Sequence, residues 1–383
     1  MSLVKTARQN ELDLLRVIAA LSVFIFHYTD SFNYVNRIVP GNFGIGVFFR
    51  YGYMGVPLFF VISGYVVTMT AMNKSFAEFA ISRITRLYPV FWLSCIIAFL
   101  LPRVLPHVDT FLPWPSIKAL LVNCTMIPSV FDKQMINPVF WSLLEEMHFY
   151  LLITGIIIFK LWDKILPVLI CWLIIYFVVS ALGYSRPDDK VGILVPKHSL
   201  YFIAGMLFYL VKINYTAKWK LNGFLLVIFA FCLINAFYIA RYTNLLYKSA
   251  NAVSAYGFYF INLSIFFIFF LIANNKFSIR SNNVLRKLGD VTYPFYLLHL
   301  YGLGLYWVLR DTVQSQVLLL LMLVIMFCVS YAVNRYFEKP AIKYFTNIVK
   351  YISDKIITTQ KTDNQIKATP QVVLRRSNSE DRE

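Results

Sequence analysis

Two residues stand out for the chemistry they could do: His27, inside one long apolar run, and Glu146, inside another. An imidazole can take a proton from a hydroxyl near neutral pH, and a carboxylate can orient the ring that does so. Ionisable groups within apolar spans are costly and mark function. His27 follows Arg16 by eleven residues, roughly 16 Å of helix at 1.5 Å per residue. Glu146 lies about seven residues, roughly 10 Å, into its own run from the opposite direction. Both counts place the two at one depth, so the expectation is a base, His27, oriented by Glu146. The competing readings are a hydrogen-bonded packing residue for His27 and a packing salt bridge within the bundle for Glu146. Neighbouring residues on a helix point about 100° apart, so only one of Glu145 and Glu146 faces a given partner.

A second group is cationic. Arg83 and Arg86 are three apart and share a helix face. With Arg16 at the same side of the membrane, three guanidiniums would suit a multiply phosphorylated ligand. Plain anchoring at the membrane edge explains them too. Asp13 reads as a solvated or capping residue near the boundary. Ser63, followed by Gly64, reads first as close helix packing and second as a nucleophile. His299 is another histidine within a span, with packing and functional readings equal. Glu338, before Lys339 and Pro340, reads locally as a helix end. His107 and His198 give no clear signal. The five cysteines contain no CxxC pair, so neither a disulfide framework nor a metal site is expected. No phosphate loop, dinucleotide fingerprint or serine elbow occurs, and no permanently bound cofactor is expected.

Something must hold these residues, and composition says what. Of 383 residues, 59% are hydrophobic and 14% charged, too little polar surface for a soluble enzyme of this length. The net charge of +17 is not gathered on one soluble face, so no nucleic-acid partner is expected. The fold class is all-α, a polytopic protein of the lipid bilayer. Ten apolar runs near spanning length occur at about 12–32, 54–72, 87–105, 139–159, 164–182, 196–212, 221–240, 251–273, 290–309 and 316–336. The short connections after even-numbered spans carry Lys74, Arg83, Arg86, Lys160, Lys164, Lys212, Lys218, Lys220, Lys276, Arg280, Arg286 and Lys287. Positive residues favour the cytoplasm, which predicts both termini inside. Residues 1–342 form the membrane domain. Residues 343–357 read as a basic amphipathic helix at the inner leaflet or an extension of the last span. Residues 358–383 are polar enough to predict a disordered cytoplasmic tail.

Taken in order, the motifs resemble those of the acyltransferase 3 family of integral-membrane acyltransferases. They are Asp13-x-x-Arg16 with His27, Phe59-Phe60-x-x-Ser63-Gly64-Tyr65, Arg83-x-x-Arg86-x-Tyr88-Pro89, Trp141-Ser-Leu-x-x-Glu146-x-x-Phe149-Tyr150, Tyr296-Leu-x-His299 and Glu338-x-Pro340. The resemblance covers about residues 8–342. It implies transfer of an acyl group, usually acetyl, from cytoplasmic acyl-CoA as co-substrate to a hydroxyl of a surface carbohydrate or lipid-linked glycan. It also implies a bacterial inner-membrane location, His27 as the catalytic residue and Arg16, Arg83 and Arg86 as donor-binding residues. Pro57 and His148 depart from the family's pattern, and the extracytoplasmic esterase-like domain of many relatives is not expected here. A glycan transporter or flippase is the competing class, against which the two halves show no internal repeat.

Overall fold

A computed structural model describes residues 8–31, 49–105, 114–131, 133–182, 198–247 and 253–348. Among them the protein is a helix bundle without strands. The helices are α1 (Asn10–Phe26), α2 (Gly55–Ala71), α3 (Phe76–Val104), α4 (Ile117–Asn123), α5 (Phe140–Ile158), α6 (Ile165–Ala181), α7 (Ser199–Lys212), α8 (Lys218–Tyr247), α9 (Ala255–Ala273), α10 (Asn283–Leu298), α11 (Leu303–Leu309) and α12 (Ser315–Val333). Eight helical stretches are long and apolar enough to cross a membrane. Their outward faces carry exposed Ile, Leu, Val and Phe, which lipid can solvate.

The sixth and ninth expected spans are helical but differ from simple crossings. α7 has 14 residues, and from Ser199 to Val211 every one is buried. It is enclosed by protein all round and has no need to match the bilayer's thickness. The ninth is interrupted: α10 ends at Leu298, a 3₁₀ turn spans His299–Gly302, and α11 follows. Pro294, inside α10, has no N–H to give the carbonyl of Asp290. The Asn334 amide donates to that carbonyl instead, at 3.2 Å. Asn334 opens a π-helical turn that ends at Glu338, and helix continues through 348. Residues 343–348 thus prolong the last span, whereas 349–383, with the rest of the expected amphipathic segment and tail, lie outside the described residues.

α2 and α7 form the closest helix pair. A Cβ on Gly64 would stand 2.2 Å from the Phe202 carbonyl oxygen, and one on Gly205 would stand 2.1 Å from that of Val61. Glycine is required at both for the backbones to touch. Gly55 likewise meets α1, where its Cβ would lie 2.4 Å from the Ala19 carbonyl oxygen. That contact sets the level of everything α2 carries.

The connection between α3 and α5 packs along α3. The Arg103 guanidinium donates to the Pro115 carbonyl at 2.8 Å, Trp92 to that of Cys124 at 3.0 Å and Tyr88 to that of Thr125 at 3.2 Å. From Pro115 to Thr125 the chain therefore runs back along α3, from the side chain of Arg103 to those of Trp92 and Tyr88. Such a re-entrant segment needs its backbone satisfied. Buried Asn123 does this, donating to the carbonyls of Ala119 and Gln134 and accepting from the Ile136 N–H. α5 consequently starts well inside the bundle.

Gly205→Val should destabilise the folded protein by about 1–3 kcal/mol or more through overpacking. A lowered thermal midpoint in detergent would show it, while Gly155→Val, at a site with open space around the Cβ, should leave the midpoint nearly unchanged.

Candidate active site

Asp13, completely buried, anchors the N-terminal end of α1. Its carboxylate accepts from Arg8 Nε at 2.6 Å and Nη2 at 2.9 Å, and from Arg16 Nη1 at 2.7 Å. Arg8 also reaches Asp290 at 2.6 Å, which takes Lys339 at 2.9 Å. Burial disfavours the Arg8 charge, but hydrogen bonds to Asp13 and Asp290 more than offset this and raise its pKa. Gly289 leaves the room this network needs, since a Cβ there would stand 2.6 Å from Asp13 Oδ1. Asp13 is therefore a buried ion-pair centre and not a solvated cap.

Above this network lies a cavity of about 120 Å³. Arg16, Arg83 and Arg86 all line it, with Ser63, Glu146, Tyr150 and Tyr296. The three arginines from three sequence motifs are thus brought together. Arg83 donates to Thr70 Oγ1 at 3.0 Å, its guanidinium lies over the Phe79 and Tyr150 rings, and its buried Nε has no hydrogen-bond partner. Arg86 is exposed. Glu146 Oε1 accepts from Ser63 Oγ at 2.9 Å and from Tyr150 OH at 2.5 Å. Gly64 makes the close helix contact, while its neighbour Ser63 turns into the cavity.

This geometry corrects the expected pairing of Glu146 with His27. Gly55 lies abreast of Ala19, and Ser63 is eight residues further along the antiparallel α2, about 12 Å towards the Arg8 end. Ser63 and its partner Glu146 therefore stand past the Arg16 backbone, which is only three residues from Ala19, about 4.5 Å, and they meet the Arg16 side chain in the cavity. The depth argument failed because it counted from the start of α5 as though that were the membrane boundary, and the re-entrant segment moves that start inward.

His27 instead meets His299. Its Nδ1 lies 2.9 Å from the Val23 carbonyl oxygen and 3.2 Å from His299 Nε2. A π-helical turn begins at His27 and the 3₁₀ turn begins at His299. Tyr296, on the cavity wall, contacts the His299 ring at 5.8 Å between centroids. Its hydroxyl is paired with Ser142 Oγ at 2.7 Å. The arginine cavity thus lies beside the ion-pair network, and Tyr296 with Ser142 on its wall leads to the two histidines.

Other expected residues fall elsewhere. Tyr88 holds the re-entrant segment. Trp141 stacks on Tyr53 at 6.4 Å and lies 5.2 Å from the His198 ring. Glu145, on another side of α5 from Glu146, accepts from the His198 N–H at 3.4 Å, with the ring nitrogen at 3.8 Å. Glu338 is buried and accepts from Asn334 at 2.6 Å. Sequence reasoning passed over Tyr150, although its i,i+4 spacing from Glu146 was a usable signal, and over Arg8, which looked like one more basic terminal residue. His198 had no local signal at all. Among the described residues no group of three or more His, Cys, Asp or Glu could hold a metal ion.

A family model described as an acyltransferase domain matches residues 9–335. The chain belongs to the acyltransferase 3 family. It is similar to a protein of Acidianus two-tailed virus, ORF330, provisionally named an acetyltransferase. The two are 26% identical over 299 residues, covering 75% of this chain and 81% of the relative. No solved structure matches. This membrane acyltransferase accordingly has its arginine cavity and its histidine pair within the family's matched region.

Asp13→Ala should cost about 3–5 kcal/mol, because it leaves the buried Arg16 charge uncompensated. Thermal unfolding in detergent measures this, and Gly289→Ala, which pushes on the same carboxylate, should shift the midpoint in the same direction.

Proposed function

We propose that the protein moves an acyl group, acetyl in the first instance, from cytoplasmic acyl-CoA to a hydroxyl of a carbohydrate or lipid-linked glycan on the far side of the membrane. The reading places the Arg8 end of the bundle in the cytoplasm and the protein in a bacterial inner membrane. The observation that supports it most is the cavity itself. Three guanidiniums converge there against one carboxylate, Glu146, and Arg83 Nε and exposed Arg86 retain donor capacity for an anion. Guanidinium–phosphate contacts are charge-assisted and directional, and a coenzyme A carries several phosphate groups for them.

With the phosphates held at the arginines, the flexible arm of the donor extends towards the opposite end. His27 lies roughly 16 Å from Arg16 along α1, a distance of the same order as that arm. Tyr296 and Ser142 stand between, so their hydrogen bond opens when the arm passes. The thioester then reaches His27, and the acceptor hydroxyl enters from the other side.

The ring chemistry follows from the hydrogen bonds. A carbonyl can only accept, so His27 Nδ1 bears its proton towards Val23, and Nε2 carries the lone pair. Nε2 takes the proton from the acceptor hydroxyl as its oxygen bonds to the thioester carbonyl carbon. Collapse of the tetrahedral intermediate breaks the C–S bond. The departing thiolate takes the proton back from Nε2–H and leaves as free coenzyme A. The histidine returns to its starting state, and no oxidant or metal enters.

Glu146 has a different role from the one its depth suggested. It holds Ser63 and Tyr150 in place on the cavity wall and offsets part of the arginine charge when no donor is bound.

Full-length protein in membranes, supplied with labelled acetyl-CoA and the host's extracted glycan fraction, tests these roles separately. His27→Ala should lower the rate by about 10²–10⁴-fold, the range for loss of a general base, with donor affinity kept. Arg86→Ala should raise the acyl-CoA concentration for half-maximal rate by roughly tenfold or more, as expected for a lost charged hydrogen bond of about 1.5–3 kcal/mol. Wild-type levels of transfer in His27→Ala, with the protein present, would end the proposal.

A further inference from the structure

We infer that His299 is the positioning residue of His27, a neutral imidazole in the place where a carboxylate usually stands. The inference rests on the proposed role of His27 as base and assigns a residue that orients it.

His299 is itself fixed in one tautomer. Its Nδ1 lies 2.7 Å from the Tyr296 carbonyl oxygen, an acceptor only, so this nitrogen bears the hydrogen. Its Nε2 therefore presents a lone pair, and it does so towards His27 Nδ1 at 3.2 Å. Two acceptors, the Val23 carbonyl and His299 Nε2, thus converge on one nitrogen of His27. Only the tautomer with the hydrogen on Nδ1 satisfies both, and it leaves the lone pair on Nε2, where the mechanism needs it. Val23 alone belongs to the same helix as His27 and does not tie the ring to the rest of the bundle. His299 does, from the turn that follows α10.

The two segments are clasped so that this contact holds. Tyr28, next to His27 and fully buried, donates to the His299 carbonyl at 2.6 Å. Gly302 lets that hydroxyl through, as a Cβ there would stand 2.5 Å from it. Phe24 and Phe295 lie 6.5 Å and 6.2 Å from the His299 ring, and His299 is 1% exposed. In surroundings this apolar, an ionised carboxylate would carry a desolvation penalty at rest. A neutral imidazole avoids it, yet its lone pair still accepts from the Nδ1–H of the imidazolium that His27 becomes in the transition state.

The test compares His299→Gln with His299→Met. The side chains are alike in length, but only Gln can place an acceptor near His27 Nδ1. In full-length protein, with acetyl-CoA and the extracted glycan fraction, His299→Met should lower kcat by roughly 10²-fold or more, the scale of a misplaced base. KM for acetyl-CoA should stay within about twofold, because the arginine cavity is untouched. His299→Gln should recover at least tenfold of the loss. Combined with His27→Ala, His299→Met should add nothing, because groups that act as a unit are non-additive.

A second readout is independent of turnover. In protein labelled with ¹⁵N-histidine, the His27 resonances, assigned by loss in His27→Ala, should report the hydrogen on Nδ1, and in His299→Met a mixture of tautomers. Equal activity of the Gln and Met variants, an additive double variant, or an unchanged His27 tautomer would each overturn the inference. If wild-type protein transfers nothing from acetyl-CoA, the functional reading falls instead, and the tautomer measurement still decides whether His299 sets the state of His27.

Discussion

Asp13 is a carboxylate with no exposed surface, near the end of a helix packed in a bundle that lipid surrounds. Its burial is tolerable only with matched charge and full hydrogen bonding. Arg8 and Arg16 supply both, and Arg8 extends the match to Asp290 and Lys339. These contacts tie α1 to α10 and to the helix that follows α12 at one level. Once that level is fixed, Arg16 has one hydrogen bond spent on Asp13 and its head in the cavity, and His27 stands at the far end of the same helix. The distance between Arg16 and His27 is therefore a property of one rigid element, set by eleven residues of helix.

A second constraint sets the other wall. The glycine contacts of α2 with α7 and α1 leave no freedom to slide, since each backbone touches the next without side chains between them. Ser63 therefore sits where Gly55 and Gly64 put it, in the cavity that Arg16 also lines, and Glu146 is drawn to the same level by its hydrogen bond. Arg83 and Arg86 arrive on α3, one helix turn apart. Their cavity is electrostatically lopsided: Arg16 is partly neutralised by Asp13, Glu146 offsets one charge, and the remainder is left for an anion.

Much of this was legible in the residues. The apolar runs gave the helices and their order, because hydrophobic length is imposed by lipid and is read directly. The three arginines were recognisable as one group, because positions three apart share a face and depth follows from counting along a helix. Counting failed for Glu146, whose helix does not start at the membrane boundary. The signal for that was Asn123, a polar residue that satisfies irregular backbone seventeen residues before Phe140, and nothing local distinguishes it from a loop asparagine. His299 was equally ambiguous. Its role depends on which ring nitrogen faces which acceptor, and that is fixed by the turn that follows Leu298, not by spacing.

The two ends of the site solve opposite problems. At the arginine end the proposed donor brings negative charge, so surplus positive charge on the protein would be useful, beside a carboxylate that can exchange partners. At the histidine end the charge in the proposed reaction is transient, appearing only as the hydroxyl proton moves. A permanent counter-ion there would have to be desolvated in every resting molecule to serve one short-lived state. A neutral second histidine responds only when the first becomes charged, and its own hydrogen, already given to a backbone carbonyl, keeps its lone pair pointing the right way. The apolar rings around the pair then strengthen that response, since a hydrogen bond to charge is worth more where water does not compete.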